Sequence, residues 1–134
     1  EWHWVDEKGK EKHPYYVHLP GQKIFSVAGL YYPWYEKATD KLHWTYTLLT
    51  GEANPLMARI HNNKKRMPII IEREYEKDWL NPNLTKEDVL ALCRPFDEKK
   101  MEAYTVSKRI TSRKEPTNVP QTMQKFNYEA TTLF

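Results

Sequence analysis

Bulky apolar and aromatic residues recur along the chain in short runs, and turn-forming residues separate one run from the next. The runs at 14–19 and 24–31 are rich in aromatic and β-branched residues and are joined by a Pro-Gly-Gln sequence, which predicts a β-hairpin. Apolar and polar residues partly alternate over 43–50, and 68–72 is mostly apolar, so both segments are predicted to be strands. A last strand is predicted over 103–110.

A short helix is predicted after Asn54, because asparagine is a favoured N-cap residue and Pro55 suits the first helical position. This helix runs through Ile60 and leaves His61 at its C-terminal end. A second helix is predicted over 73–80, where apolar residues recur at helical spacing. Its apolar face consists of Tyr75, Trp79 and Leu80.

A third helix is predicted after Thr85, because Thr85 and Asp88 have the spacing of a capping box. Pro95 ends this helix. Its apolar side consists of Val89, Leu90 and Leu92. Together the elements predict an α+β fold of mostly antiparallel strands with a few short helices, followed by an extended tail over 111–134.

Length and composition are those of one globular domain: 134 residues, of which 40% are hydrophobic and 13% aromatic. The longest apolar run, at 68–71, is far shorter than the roughly 18 residues that cross a bilayer, so no membrane insertion is expected. The chain opens at Glu1 without an initiator methionine or a targeting segment, which we interpret as the beginning of a fragment.

Charge is unevenly distributed, although the net charge is only +3. The stretches 59–66 and 108–114 carry several cations and no acid, and we predict that they can meet phosphate. The single cysteine, Cys93, lies in an apolar helical run, which favours a buried structural thiol over a nucleophile and fits a reducing cytosol.

The five histidines lie in different local contexts, so no metal site and no cofactor are predicted. The sequence has no glycine-rich phosphate loop and no Gly-x-Ser-x-Gly motif. His61 has the most informative surroundings, because it stands at a helix end beside a cationic loop. This position suits an acid–base group near an anionic ligand, or equally a surface histidine in a solvated loop.

Short motifs follow one another along the chain in a distinctive order and spacing. They are Glu1-Trp2, Pro14-Tyr15-Tyr16, Ala28-Gly29-Leu30-Tyr31, Trp34, Thr50 with Ala53-Asn54, Ile60-His61, Arg66-Met67-Pro68, Trp79-Leu80 and Tyr104-Thr105-Val106-Ser107. Together they resemble the SOS-response-associated peptidase (SRAP) family, whose members crosslink covalently to abasic sites in single-stranded DNA.

The resemblance implies a barrel-like antiparallel sheet and a nucleophilic N-terminal cysteine, whose amine and thiol react with the aldehyde of the abasic sugar. It implies that Glu1 and His61 are catalytic, that Thr50 lines the substrate pocket, and that Arg66 contacts DNA. Lys64 and Lys65 are expected to add electrostatic attraction to phosphate. It also implies self-processing peptidase activity.

Two departures from the family pattern shape these expectations. The loop between His61 and Arg66 is longer than the usual His-x-Arg-Met-Pro, and the half of the domain that carries the cysteine is not in this chain. We therefore expect 1–110 to be the carboxy-terminal part of a SRAP domain that is inactive by itself. Its expected partners are the amino-terminal half and single-stranded DNA with abasic sites, in a cytoplasmic, nucleoid-associated protein that is monomeric when complete.

Two other functions stay open from the residues alone. The basic loops and aromatic residues also suit a module that binds single-stranded nucleic acid without a covalent bond, which would lose affinity steeply with salt. A hydrolase acting on other proteins is the third alternative, and cleavage of an unrelated substrate that depends on His61 would favour it.

Overall fold

The computed structural model describes residues 1–128, and the contacts among them divide the chain into two compact units. Unit A comprises 1–23, 53–66 and 97–128, and unit B comprises 24–52 and 67–96. The strands are β1 (Trp2–Trp4), β2 (Lys12–His18), β3 (Ser26–Val27), β4 (Gly29–Glu36), β5 (Lys41–Leu48), β6 (Thr50–Glu52), β7 (Arg66–Pro68), β8 (Ile70–Ile71) and β9 (Glu102–Thr105). The α-helices are α1 (Pro55–Ile60), α2 (Glu76–Trp79) and α3 (Lys86–Leu92), and 3₁₀ turns span Arg73–Tyr75, Glu98–Lys100, Lys108–Thr111 and Pro120–Met123.

The strands form a three-stranded sheet in the order β1-β2-β9 and three two-stranded sheets, β3-β8, β4-β5 and β6-β7. Every pair whose register is defined is antiparallel, and the helices are short, so the α+β class is confirmed. Residues 1–128 contain no closed barrel, because each of their sheets has only two or three strands. No helix in the described part of the chain has the length and apolar character needed to cross a membrane.

The centre of unit A is β2, which pairs with β1 on one side and β9 on the other. Pro14 lies opposite Trp2, at a position where the missing N–H costs no hydrogen bond of the β1-β2 ladder. One residue further along, the main-chain N–H of Tyr15 donates to the carbonyl of Glu1 at 2.7 Å, and the Glu1 nitrogen donates back to the Tyr15 carbonyl at 2.9 Å. These two hydrogen bonds extend the β1-β2 ladder to Glu1.

Helix α1 forms as predicted from its local sequence. The Asn54 side-chain oxygen accepts the N–H of Met57 at 2.8 Å, and Pro55 occupies the first turn. The helix buries Leu56, Met57 and Ile60. His61 ends it, and its N–H donates to the Met57 carbonyl at 2.7 Å. The capped helix thereby sets the position of the His61 side chain.

The predicted hairpin between 14–19 and 24–31 is wrong. A turn does form, with Gly21 at φ +76° and the Gln22 N–H donating to the Leu19 carbonyl, but the following strands pair elsewhere. β2 pairs with β9, where Tyr16 lies opposite Tyr104 with ring centroids 5.4 Å apart, and β4 pairs with β5 over its whole length. Cross-strand aromatic pairs outweigh the local turn signal here.

Unit B has a core of Ala28, Ile69 and Ile71, against which Leu49, Tyr75, Trp79 and Cys93 pack. The predicted strand over 68–72 is present as parts of β7 and β8, and burial raises the pKa of the Cys93 thiol, as expected for a structural cysteine. The capping box of Thr85 and Asp88 is confirmed.

Three details of the predicted elements are wrong. The segment 73–80 begins as a 3₁₀ turn and leaves Leu80 78% exposed, because α2 is too short to turn that side chain toward the core. Leu90 is exposed as well. The strand predicted through Ile110 ends at Thr105, since Ser107 caps a 3₁₀ turn by accepting the Arg109 N–H.

The described chain after Ile110 also belongs to unit A. The Phe126 N–H donates to the Thr105 carbonyl at 2.8 Å, and the Tyr128 ring stacks on His13 at a centroid distance of 3.7 Å. The tail over 111–134 as a separate segment stays a prediction, and its last residues, 129–134, lie outside the described part of the chain.

The β4-β5 ribbon carries an unusual amount of exposed apolar surface. Facing residues of an antiparallel pair share one side of a sheet, so the register divides the ribbon into two faces. We call one of them the aromatic face, which consists of Tyr31, Pro33, Tyr35, Leu42, Trp44, Tyr46 and Leu48. Trp44 and Tyr46 are 68% and 82% exposed, far more than is usual for such residues in a folded domain.

Candidate functional site

The structure brings His61 and Glu1 together within unit A. The His61 imidazole Nδ1 lies 3.6 Å from the carboxylate Oε2 of Glu1 and 3.0 Å from the carbonyl oxygen of Arg66. Because a carbonyl oxygen can only accept, Nδ1 carries the hydrogen and donates it to Arg66. In the neutral ring the other nitrogen, Nε2, then holds a free lone pair that can take up a proton.

Both side chains of this pair reach solvent. The His61 side chain is 27% exposed and the Glu1 side chain 34% exposed, so a ligand can approach them. An imidazole nitrogen that can take up a proton and a carboxylate therefore stand side by side where a ligand can reach them, an arrangement suited to proton transfer.

Glu1 is placed by the β1-β2 ladder, whereas His61 is placed by the end of α1. A second contact ties these two elements to each other: the His3 Nδ1 atom lies 3.0 Å from the carbonyl oxygen of Arg59, in the last turn of α1. His3 is only 8% exposed and lies two residues from Glu1, on the same face of an extended chain.

A third contact is made by Asn62, which directly follows His61. Its Oδ1 accepts the main-chain N–H of Trp4 at 2.9 Å, and its Nδ2 donates to the Trp4 carbonyl at 2.9 Å. One carboxamide thus satisfies both main-chain groups of a β1 residue.

The three predicted DNA-binding cations follow in the same loop. Lys64, Lys65 and Arg66 are all exposed, and their side chains make no ion pair with residues 1–128. Lys65 has a positive φ of 50°, and its N–H donates to the His61 carbonyl at 2.9 Å, which closes the loop tightly behind the histidine. The loop that follows His61 therefore carries three exposed cations that form no ion pair within residues 1–128.

The remaining predicted site residue, Thr50, is exposed in β6 and belongs to unit B. Among residues 1–128, no group of three or more histidine, cysteine, aspartate or glutamate side chains is arranged to hold a metal ion. His3 and Asn62 were missed from sequence as parts of the site. The alternation of Glu1 and His3 along one strand is a signal that could have found His3, but Asn62 has no comparable signal.

Comparison with known proteins identifies the family. The SOS response associated peptidase (SRAP) family model matches residues 1–113. The chain belongs to the SRAP family.

Relatives of this SRAP chain include proteins named for the processing of abasic sites. It is 41% identical over 115 residues to abasic site processing protein YoqW of Bacillus subtilis, covering 85% of this chain and 49% of that protein. It is 27% identical over 116 residues to abasic site processing protein HMCES of Xenopus tropicalis, covering 72% of this chain and 33% of that protein.

A crystal structure of a protein from Bacteroides thetaiotaomicron has the same fold as this SRAP chain. The two superpose with a TM-score of 0.83 at 38% identity, over 94% of this chain and 53% of that one. The chain thus spans about half the length of YoqW and of the Bacteroides protein, with coverages of 49% and 53%.

Proposed function

We propose that this chain is part of a protein that recognises abasic sites in single-stranded DNA and becomes covalently linked to them. One observation carries the proposal: a carboxylate and an imidazole stand 3.6 Å apart, beside a loop of exposed cations, in a chain of the SRAP family. The names of YoqW and HMCES, both abasic site processing proteins, point to the same substrate.

The proposed chemistry begins with the abasic sugar, which must open from its cyclic hemiacetal to the free aldehyde. Opening removes a proton from the anomeric hydroxyl and delivers one to the ring oxygen. It therefore requires general base catalysis followed by general acid catalysis. We assign both transfers to His61, with Glu1 as its partner. The Nε2 atom takes the proton from the anomeric hydroxyl, because the Nδ1 hydrogen is held by the Arg66 carbonyl, and the imidazolium then returns a proton to the ring oxygen while the Glu1 carboxylate balances its charge.

The aldehyde then reacts with a cysteine at the protein's amino terminus, which the family resemblance assigns to the half outside this chain. The α-amine adds to the aldehyde carbon, and loss of one water gives a Schiff base. The thiol S–H next adds across the C=N bond, which closes a thiazolidine ring without losing any atom. Glu1 positions the amine, and His61 supplies the proton that turns the leaving hydroxyl into water.

We assign DNA contacts to the cationic loop. Lys64, Lys65 and Arg66 offer charge to phosphate groups near the lesion, and phosphate contacts position a nucleic acid without reading its sequence. By resemblance to the family, Thr50 is assigned to the wall of the substrate pocket. Self-processing that exposes the cysteine is the peptidase activity that we propose for the complete protein.

The aromatic face of the β4-β5 ribbon supports the proposal that the amino-terminal half of the same domain packs here. An apolar surface of this size is normally buried, and about half of the length of YoqW lies outside the matched region. We propose that this packing completes the barrel-like sheet in a monomer, and that the protein acts on DNA in the cytoplasm, at the nucleoid.

The direct experiment mixes the full-length protein with single-stranded DNA that carries one abasic site and separates the products on a denaturing gel. A DNA band shifted by the mass of the protein, absent with intact DNA of the same sequence, supports the proposal. Absence of that band at neutral pH would contradict it. If the protein then still binds the DNA in a native gel, the second candidate, non-covalent binding through the cationic loop, replaces the first.

A further inference from the structure

The free edge of β1 is closed by the side chain of Asn62. In the antiparallel pair of β1 and β2, the main-chain N–H and C=O of one residue point toward the partner strand, and those of the next residue point away from it. Glu1 bonds to Tyr15 of β2, so Trp4, at an odd spacing from Glu1, directs its N–H and C=O outward. These are the two groups that Asn62 binds, at 2.9 Å each.

We propose that Asn62 is a positioning residue that holds Glu1 against His61, an inference that rests on the proposed function. The carboxamide of Asn62 offers one donor and one acceptor in a plane, as a peptide group of a neighbouring strand would. It stands directly after His61 in sequence. The side chain that closes β1 therefore moves with the backbone that carries the imidazole.

The mechanical consequence follows from the shortness of β1, which spans only Trp2–Trp4. Such an edge strand frays readily unless its outer side is bonded. Two anchors tie β1 to the α1 region: the His3 ring on the Arg59 carbonyl and the Asn62 carboxamide on Trp4. Loss of the second anchor frees the far end of β1 and lets Glu1 drift from its 3.6 Å contact with His61.

The side-chain hydrogen bonds of Asn62 go to Trp4 and not to Glu1 or His61, so its substitution removes no reacting group. The neighbouring Asn63 provides a matched control, because its side chain is exposed and makes no hydrogen bond within residues 1–128. Asn62→Ala and Asn63→Ala therefore remove the same atoms from adjacent positions in one loop.

The test measures crosslinking of the full-length protein to abasic single-stranded DNA as a function of DNA concentration. We expect Asn62→Ala to lower the maximal rate by about ten- to a hundredfold, since misplacement by about 1 Å can cost a hundredfold. The DNA concentration that gives half the maximal rate should stay within about twofold, because the cations that bind phosphate are unchanged. Asn63→Ala should leave both quantities unchanged.

A double-mutant cycle separates positioning from general destabilisation. If Asn62 acts through Glu1, then Asn62→Ala should have little further effect in a Glu1→Gln background, whereas two independent losses would multiply. Hydrogen exchange at the Tyr15 amide, which donates to the Glu1 carbonyl, reports opening of the β1-β2 ladder at Glu1 without reference to activity when it is compared with exchange in α3 of the same samples.

The outcomes are distinguishable. A normal maximal rate for Asn62→Ala, multiplicative effects in the cycle, or unchanged exchange at Tyr15 overturns the positioning role while the proposed function stands. If the unsubstituted protein forms no crosslink at all, the proposed function fails and the inference falls with it. A rate effect of Asn62→Ala that vanishes in the Glu1→Gln background, together with faster Tyr15 exchange, supports the inference.

Discussion

The Oε2 atom of Glu1 lies 3.6 Å from the Nδ1 atom of His61, although the two residues lie far apart in the sequence. The position of each residue is set by a short secondary-structure element. Main-chain bonds to Tyr15 hold Glu1 at the start of β1, and the Asn54 cap sets the frame of the helix that His61 ends. The pair is therefore sensitive to changes that lie away from it.

The cap of α1 is the first place to test this sensitivity. Asn54→Ala removes the acceptor for the Met57 N–H, and we expect it to lower the free energy of unfolding by about 1–2 kcal/mol. It should also lower the crosslinking rate, because His61 ends the same helix. Denaturant unfolding and a crosslinking time course measure the two effects. The matched control is Thr85→Ala, which removes the cap of α3; an equal loss of crosslinking there would contradict the link between the α1 cap and the site.

The cationic loop predicts a salt effect on DNA binding. Replacing both Lys64 and Lys65 by alanine should weaken binding to single-stranded DNA. It should also reduce the slope of log affinity against log salt concentration by up to about 1.4, or about 0.7 for each phosphate that is no longer neutralised. Fluorescence anisotropy across a salt series measures the slope. Replacing Lys77 and Lys86 makes the same charge change on exposed positions of unit B, and an equal reduction there would show that only net charge matters.

The exposed aromatic face leads to a prediction about the free energy of unfolding of the full-length protein. If the amino-terminal half covers this face, Trp44→Ala in the full-length protein should cost about 3–5 kcal/mol, as for a buried tryptophan. His43→Ala, on the opposite face of the same strand, should cost about 0.5 kcal/mol or less. Equal, small losses in denaturant unfolding would mean that the aromatic face is also free in the complete protein.

Asp6 predicts a pH dependence of stability. Its carboxylate accepts the main-chain N–H groups of Glu11 at 2.7 Å and Lys10 at 3.0 Å, and these bonds, that of Glu11 foremost, lower the pKa of Asp6. A lowered pKa stabilises the fold above the pKa of the unfolded chain, near about 4, and this contribution disappears as the pH falls through the folded value.

The Asp6→Ala variant should therefore be less stable than the unsubstituted protein at neutral pH, with the difference shrinking below about pH 4. Thermal unfolding at several pH values measures it. Glu7→Ala, at the exposed neighbouring position, should show no such trend. A difference for Asp6→Ala that is constant with pH would mean that the carboxylate bonds do not form.

Features set within one turn of chain were predictable from the sequence. Asn54 and Pro55 determined the start of α1, and the capping box of Thr85 and Asp88 determined the start of α3, because each cap needs only residues three positions apart. Strand partners were not predictable in this way. β2 prefers β9 to the strand after its own turn, since partner choice depends on side chains brought together from distant parts of the chain.

The same division holds for the site. Glu1 and His61 could be named from a resemblance to a family pattern, and the structure places them in contact. The closure of β1 by Asn62 could not be foreseen, because it depends on which main-chain groups of Trp4 face outward and on how the loop after His61 folds back. No pattern in the nearby sequence predicts the orientation of the Trp4 groups or the path of this loop.

The most direct test of the central claim, that Glu1 and His61 act as a pair on the abasic sugar, is the crosslinking rate of the full-length protein and its variants at saturating DNA. We expect Glu1→Gln and His61→Ala each to slow the reaction by about a hundredfold or more, and the double variant to be little slower than either alone. His18→Ala, at a histidine of β2 that also faces a carboxylate, should react at the normal rate. An unchanged rate for His61→Ala, or independent effects of the two substitutions, would contradict the claim.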